Sequence, residues 1–323
     1  MKKKTKWIML FFTLIIAGSF YTFLTSRMNK LYADESKEKN SKKDENIIDI
    51  EKIYKDKEFG NANEDELFFL FVGVDENPKG DLHEHIRTDT MMLMNMNLKT
   101  GAINLLSIPR DTKTYIDGKL DKINHAHSYG GIDLTIKTIR EMLNVDLDYF
   151  VRVDFDAVID IVNSIGGIDY TVPKGINFTY EGVEVKEGKQ TLDGIHTLMY
   201  LRHRHSYAEG DLGRVKAQQA FLKEVIKQIL EKKSLGDLPT FIRTYFSKVD
   251  TNIPFNKLLS IAINAAKLSA DKMNTYIVPG TDGYENGVSY YFYDEVKTKD
   301  LISKLFSSYV ISDYYNKEEQ ENK

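Results

Sequence analysis

The 323-residue chain contains no cysteine, a single tryptophan, six prolines and no marked excess of either charge. Missing thiols exclude cysteine nucleophiles, disulfides, iron–sulfur clusters and Cys-ligated zinc. They leave the compartment open, because a thiol-free protein suits either side of a membrane. With 44 Lys and Arg against 48 Asp and Glu, the chain lacks the basic footprint of a nucleic-acid-binding protein. At about 150 residues per domain, the length allows one large domain or two small ones. An apolar fraction of 42% is enough to fill a sizeable core.

Charge is also missing locally. Lys2, Lys3, Lys4 and Lys6 precede residues 7–25, which carry no charge at all. As a helix rising about 1.5 Å per residue, that run spans roughly 28 Å, close to the hydrocarbon thickness of a bilayer. Trp7 and Tyr21 suit the two interfaces, and the lysine cluster outweighs Arg27 and Lys30. That asymmetry predicts a cytoplasmic tail (1–6), an uncleaved membrane anchor (7–25) and an extracellular remainder. A cleaved signal peptide, with Ala17-Gly18-Ser19 near the cut, is the competing reading, and it leaves the protein body outside the cytoplasm as well. Residues 34–46 are polar throughout and cannot offset their ordering entropy, so 26–59 reads as a charged tether. One domain is expected over 60–312, followed by a frayed tail, 313–323.

Inside that domain, apolar runs alternate with helical periodicity. Residues 67–72 (LFFLFV) read as a strand buried on both faces. Lys99-Thr100-Gly101 separates two strand-like runs as a hairpin. Helices are predicted over 132–143, 157–165 (capped by Asp156 and ended by Gly166-Gly167), 212–230, 254–268 and 294–306, with strands at 149–153 and 276–278. The order predicts an α/β domain, helices packed about a central mixed β-sheet.

Polar clusters interrupt this pattern where apolar strands end, which is where α/β sheets gather ligands. They are Asp75, Arg87-Thr88-Asp89-Thr90 and Ser107-Ile108-Pro109-Arg110-Asp111. Asp75 and Asp89 could meet across neighbouring strands and hold a hard cation such as Mg²⁺ (or Mn²⁺), or they could cap loops and pair with local arginines. Farther on come Arg202, Arg204, Asp211, Arg214 and Gln218. If 198–205 is extended, Arg202 and Arg204 share a face, and Arg214 and Gln218 share a face of the helix that follows. Arginines converging on a carboxylate pair suit a pyrophosphate, whose oxygens accept bidentate guanidinium bonds. Surface solvation is the plain alternative for any one of them.

These motifs, together with Asp121-Lys122-Ile123-Asn124-His125-Ala126, Gly166-Gly167, Tyr200-Leu201-Arg202-His203-Arg204, Asp211-Leu212-Gly213-Arg214 and Gln218-Gln219, occur in one order. The series resembles the LytR-CpsA-Psr family of Gram-positive cell envelopes over roughly residues 65–225. The resemblance implies a three-layer α/β/α sandwich preceded by one transmembrane helix, with a hydrophobic pocket for a polyprenyl chain. It implies a phosphotransferase moving an anionic glycopolymer (teichoic acid, capsule or secondary wall polysaccharide) from a polyprenyl-pyrophosphate carrier to peptidoglycan. By position, Asp75 and Asp89 match the Mg²⁺-associated carboxylates, and Arg87, Arg110, Arg202, Arg204 and Arg214 match arginines around the pyrophosphate. Lys122 and Gln218 fit peripheral contacts with it. Arg110, Arg204 and Asp211 take the catalytic roles, Asp211 by orienting an arginine or accepting the attacking hydroxyl's proton. Ala217 departs from the pattern, since many relatives have arginine there.

Two other functions compete. A pyrophosphatase would use the same site with water as acceptor. A non-enzymatic regulator would need a cytoplasmic reading element, for which a tail of about six residues is too short. Six of the seven histidines form the H-x-H pairs His83/His85, His125/His127 and His203/His205, none in a zinc-protease H-E-x-x-H context. Tyr290-Tyr291-Phe292-Tyr293 offers sugar-stacking aromatics, with strand packing as the favoured reading.

Overall fold

Residue alternation in one strand sets the architecture. The computed structural model describes residues 65–75, 86–231, 244–245 and 247–311. The expected tail, anchor and tether (1–59), His83/His85 and the 313–323 tail lie outside them. Among the described residues no helix is long and apolar enough to cross a membrane.

Strand β1 (Glu66–Val74) places Phe68, Leu70, Val72 and Val74 in one core and Leu67 and Phe69 in another, on its opposite face. This is the two-sided burial its continuous apolar run predicts, at about 1.5–3 kcal/mol for each large side chain removed from water. β2 (Thr88–Asn97) pairs antiparallel with β1 and alternates likewise, Met91 and Leu93 against Met92 and Met94. β3 (Ile103–Ser107) returns antiparallel through the expected hairpin. A small ribbon follows, β4 (Lys113–Ile116) and β5 (Lys119–Lys122).

Helix α1 (His125–Leu143) begins seven residues before the periodicity does. Gly130 and Gly131 leave helical geometry, with Gly131 at φ 63°, so residues 125–129 form a separate turn ahead of the predicted helix. β6 (Tyr149–Val153) lies parallel to β1. α2 (Phe155–Ser164) is capped by Asp154, whose side chain accepts from the Ala157 amide at 2.6 Å. Asp156, the expected cap, sits inside the first turn instead. The helix ends as predicted at Gly166-Gly167, where Gly167 takes φ 84° and its amide bonds the Val162 carbonyl.

β7 (Ile168–Val172), β8 (Phe178–Tyr180), β9 (Val183–Val185) and β10 (Gly188–Leu192) form two small ribbons. They lead into α3 (Gly194–Arg202) and the long α4 (Asp211–Glu231). β11 (Asp250–Thr251), α5 (Phe255–Asn264), β12 (Met273–Ile277), the hairpin β13 (Gly280–Glu285) and β14 (Val288–Tyr293), and α6 (Glu295–Leu305) complete the order.

The main sheet has six strands in the order β11-β6-β1-β2-β3-β12. It is mixed, because β6/β1 and β3/β12 are parallel and the other pairs antiparallel. α1 and α6 pack on one face through Ile139, Leu143 and Ile302. α2, α4 and α5 cover the other through Ala157, Leu222, Ile226, Leu258 and Ile261. The expected mixed α/β fold with a central sheet is therefore present, in three layers.

Leu70→Ala, at a fully buried position in the middle of this sheet, is expected to lower the unfolding free energy by about 2–5 kcal/mol. Asp154→Ala should cost about 1 kcal/mol through loss of a helix cap. Midpoints of urea unfolding at a constant slope would measure both.

Candidate active site

The predicted site residues come from strand ends, and their placement begins with a β-bulge. β1 and β2 pair regularly until Gly73↔Thr90, after which Val74 faces Thr88 and Asp89 is the extra residue. Such a bulge breaks the two-residue alternation and re-aims a side chain. The Asp89 carboxylate meets the Arg110 guanidinium at 2.6 Å. Asp75 lies just beyond, exposed, with its amide bonded to the Arg87 carbonyl at 3.2 Å. The two carboxylates thus stem from adjacent ends of neighbouring strands.

Arg110 occupies the turn after β3, where Thr112 bonds the Pro109 carbonyl through both its amide and its hydroxyl. Its Nε stands 3.9 Å from Asp111 and 4.0 Å from Asp211. Burial works against the guanidinium charge, and Asp89, Asp211 and Asp111 together hold it above its ordinary pKa. Asp211 opens α4 and pairs with Arg214 at 2.8 Å. Arg214 is only 2% exposed, and its Nη2 also reaches the Asp89 carbonyl at 3.4 Å. Lys122 closes the cluster on Asp111 at 3.1 Å. The Nε atoms of Arg110 and Arg214 are both buried without a hydrogen-bond partner. Two guanidinium groups with donors to spare are arranged to receive an anion.

Two glutamines fix the helix that carries Arg214. Gln219 donates to the Ser107 hydroxyl and the Tyr276 carbonyl, each at 2.7 Å, tying α4 to β3 and β12. Gln218 donates to the Leu201 carbonyl at 3.1 Å. Together with Asp89, Met92, Ile108, Arg110 and Val215, Gln218 lines a closed slot behind the arginines, too tight to hold a water molecule.

Other expectations need correction. The segment 198–205 is not extended. α3 runs to Arg202, and His203 is its C-cap. The strand-face alignment of Arg202 and Arg204 therefore does not exist. Arg202 instead stacks over the Phe155 ring at 4.4 Å. Arg204 is exposed in the loop between α3 and α4, outside the Arg110–Arg214 cluster, and Arg87 is exposed at the entrance to β2. The helical period of 194–202 was hidden because its buried side, Thr197 to Tyr200, is continuous rather than periodic.

The histidines of the pair His125/His127 have separate surroundings, while His205 lies edge-on to His203 with ring centres 6.3 Å apart. His125 lies 2.9 Å from Asp121, His127 Nδ1 lies 3.1 Å from the Ile86 carbonyl, and His203 stacks on Phe178 at 3.9 Å. Sequence reasoning assigned no role to Gln219, Asp111 or Asp282, although the first two stand within quoted motifs. Asp282, on β13, is raised above the usual carboxylate range by desolvation and by the charges of Asp211 and Asp111. No motif near the site could have pointed to it, since it lies 71 positions after Asp211.

Among the described residues no three His, Asp or Glu side chains are grouped to hold a metal ion. Mg²⁺ needs only one or two protein carboxylates, with water and phosphate oxygens completing its shell. Asp75 and Asp89, two oxygen donors at neighbouring strand ends beside an anion-binding cluster, fit that requirement.

A model of the LytR_cpsA_psr family matches residues 19–307. A curated relative from Bacillus subtilis (strain 168), the polyisoprenyl-teichoic acid–peptidoglycan teichoic acid transferase TagU, is 34% identical over 256 residues, 79% of this chain and 81% of its own. The TagU of Bacillus licheniformis is 31% identical over 90% of both chains. Among solved structures, B. subtilis TagV aligns with a TM-score of 0.65 and 28% identity over 75% of this chain and 97% of its own. TagT bound to LIIa-WTA aligns with a TM-score of 0.61 and 28% identity over 75% and 89%.

At the edge of the cluster, burial opposes ionisation of Asp121, and bonds from Tyr129, His125 and the Lys122 amide outweigh it, so its carboxyl lies below the ordinary range. The stability this supplies is fully present above about pH 4, the unfolded value, and is lost as pH falls through the lower folded value. Asp121→Asn is therefore expected to be less stable than the parent at pH 7, with the gap closing in strong acid. Urea unfolding across pH 2–7 would show it.

Proposed function

Because the chain belongs to the LytR_cpsA_psr family, we propose that it is a transferase moving an anionic glycopolymer, such as a teichoic acid, from a polyprenyl-pyrophosphate carrier to peptidoglycan. What carries this reading is the pair of arginines, half-buried Arg110 and buried Arg214, each with a buried Nε that lacks a hydrogen-bond partner, set among Asp89, Asp111 and Asp211. A pyrophosphate is the group such an array suits, because it accepts several charge-assisted bonds on adjacent oxygens.

In the proposed reaction an acceptor hydroxyl attacks the polymer-bearing phosphorus. A new O–P bond forms, the bridging P–O bond breaks, and its electron pair leaves with the lipid phosphate. Arg110 and Arg214 bind the phosphate oxygens and stabilise the charge that grows on them. Asp89 and Asp211 hold the two guanidinium groups in position, and Asp211 is a positioning residue in this scheme because Arg214 already occupies it. Lys122 sits at the rim, and Gln218 lies buried behind the arginines. Bound between Asp75, Asp89 and the donor, Mg²⁺ would supply Lewis-acid polarisation of the phosphoryl oxygens. The lipid chain would enter the slot beneath Arg110, where Met92, Ile108 and Val215 give an apolar lining that must open to admit it. Arg87 and Arg204 stand outside the cluster, where they would meet the rest of the head group.

Residues 7–25 complete the proposal as a single membrane anchor with a cytoplasmic amino terminus. They bring the site to the surface where a polyprenyl donor resides.

Arg110→Ala should lower transfer at least 100-fold, and Arg110→Lys should recover only part of it, because a point charge cannot reproduce the planar fork. The full-length chain, a polyprenyl-pyrophosphoryl saccharide and peptidoglycan oligomers would be assayed for polymer linked to glycan. Chelation of divalent cations should abolish linkage, and Mg²⁺ should restore it. Phosphate release without linked polymer would identify a pyrophosphatase instead.

A further inference from the structure

The β13–β14 hairpin presents two unlike faces. On one, Glu285 holds Lys113 at 2.6 Å, and the Lys113 ammonium lies 5.7 Å and 5.6 Å from the ring centres of Tyr290 and Phe292. Lys122 also approaches Tyr290, at 5.8 Å. Those two rings are packed under lysine stems, so they are not free sugar platforms. The other face carries Asp282, Tyr284, Ser289 and Tyr291, because Asp282 pairs with Tyr291 and Tyr284 with Ser289 across the hairpin. Tyr291 is buried and pins this face down. Its amide donates to the Asp111 carbonyl at 2.8 Å and its hydroxyl to the Val278 carbonyl at 2.7 Å. Asp282, paired with Tyr291 across the hairpin, therefore lies within reach of the charges of Asp111 and Asp211. Tyr284, two residues farther along the same face, is 80% exposed, the most exposed large apolar side chain among the described residues.

We propose that this face is the acceptor subsite: Tyr284 stacks on a sugar ring of the acceptor glycan, and Asp282 takes the proton from its attacking hydroxyl. The proposal rests on the transferase reading above and assigns it an acceptor and a base. Asp282 and Tyr284 stand about 7 Å apart along the strand, a distance that one pyranose ring spans. An exposed aromatic beside hydrogen-bond-accepting carboxylates suits an uncharged, hydroxyl-rich ring. An anionic polymer would be repelled here by Asp282 and Asp111, so the acceptor is favoured over the donor saccharide. Asp211, paired with Arg214, and Asp89, paired with Arg110, are engaged in holding cations. Desolvation, Asp211 and Asp111 raise the proton affinity of Asp282, which suits a general base. Arg110 and Lys122, both close to Asp111, temper that repulsion. The O–H proton passes to Asp282 as the O–P bond forms, the lipid phosphate leaves with the bridging electron pair, and the exposed acid returns its proton to solvent.

The test uses the full-length chain in detergent with the polyprenyl-pyrophosphoryl saccharide donor and a peptidoglycan glycan oligomer. Tyr284→Ala should raise the acceptor KM about tenfold with the donor KM held, and Tyr284→Phe should restore it. Tyr115→Ala, an exposed tyrosine on β4, should leave both values as in the parent. Asp282→Asn should lower kcat about 100-fold and remove the acidic limb of the pH–rate profile. An acceptor KM unmoved by Tyr284→Ala, a donor KM moved equally, or an acidic limb intact in Asp282→Asn would overturn the proposal. Calorimetric titration with the glycan oligomer decides the subsite without chemistry. Binding by the parent that Tyr284→Ala weakens supports it, and no binding by the parent refutes it. If the parent consumes no donor, the transferase reading falls, whatever the titration gives.

Discussion

Arg214 is almost wholly removed from water, and a guanidinium in that position is tolerable only beside fixed negative charge. Desolvating an ion costs several kcal/mol, and removing its partner leaves that cost uncompensated. Asp211 on the same helix supplies one counter-charge, and the Asp89 backbone from β2 supplies an acceptor. Arg110, from the turn after β3, is drawn in by the Asp89 side chain. The pairing thus ties α4 to the ends of the sequence-distant β2–β3 hairpin, and Gln219 locks the same helix to β3 and the edge strand β12.

The arrangement is only half satisfied from within. A carboxylate takes up one Nη of each arginine, while neither Nε makes a hydrogen bond. Internal pairs set orientation and the remaining donors set affinity. In the proposed reaction an anion arriving here would meet donors already aligned, with little reorganisation on binding.

Much of this was legible before the fold was known. The continuous run at 67–72 announced a strand covered on both sides, and Lys99-Thr100-Gly101 announced its hairpin neighbour. The motifs at Asp89, Arg110, Asp211 and Arg214 named four members of the cluster, because charged residues at strand ends stand out against apolar runs. What failed did so for physical reasons. Residues 198–205 looked extended because helix α3 is buried over four consecutive residues, which erases the 3.6 period. Asp154 rather than Asp156 caps α2, since a cap is decided by one backbone torsion that periodicity does not resolve. Asp282 was invisible because its neighbours in space, Asp111 and Asp211, are supplied by distant segments.

The bulge at Asp89 carries a further consequence. A substitution there changes a charge, whereas a one-residue deletion would restore regular pairing, keep Thr88 opposite Val74, and remove the extra residue whose carboxylate the bulge delivers to Arg110. The segment leading into β2 is therefore constrained in its length as well as its letters.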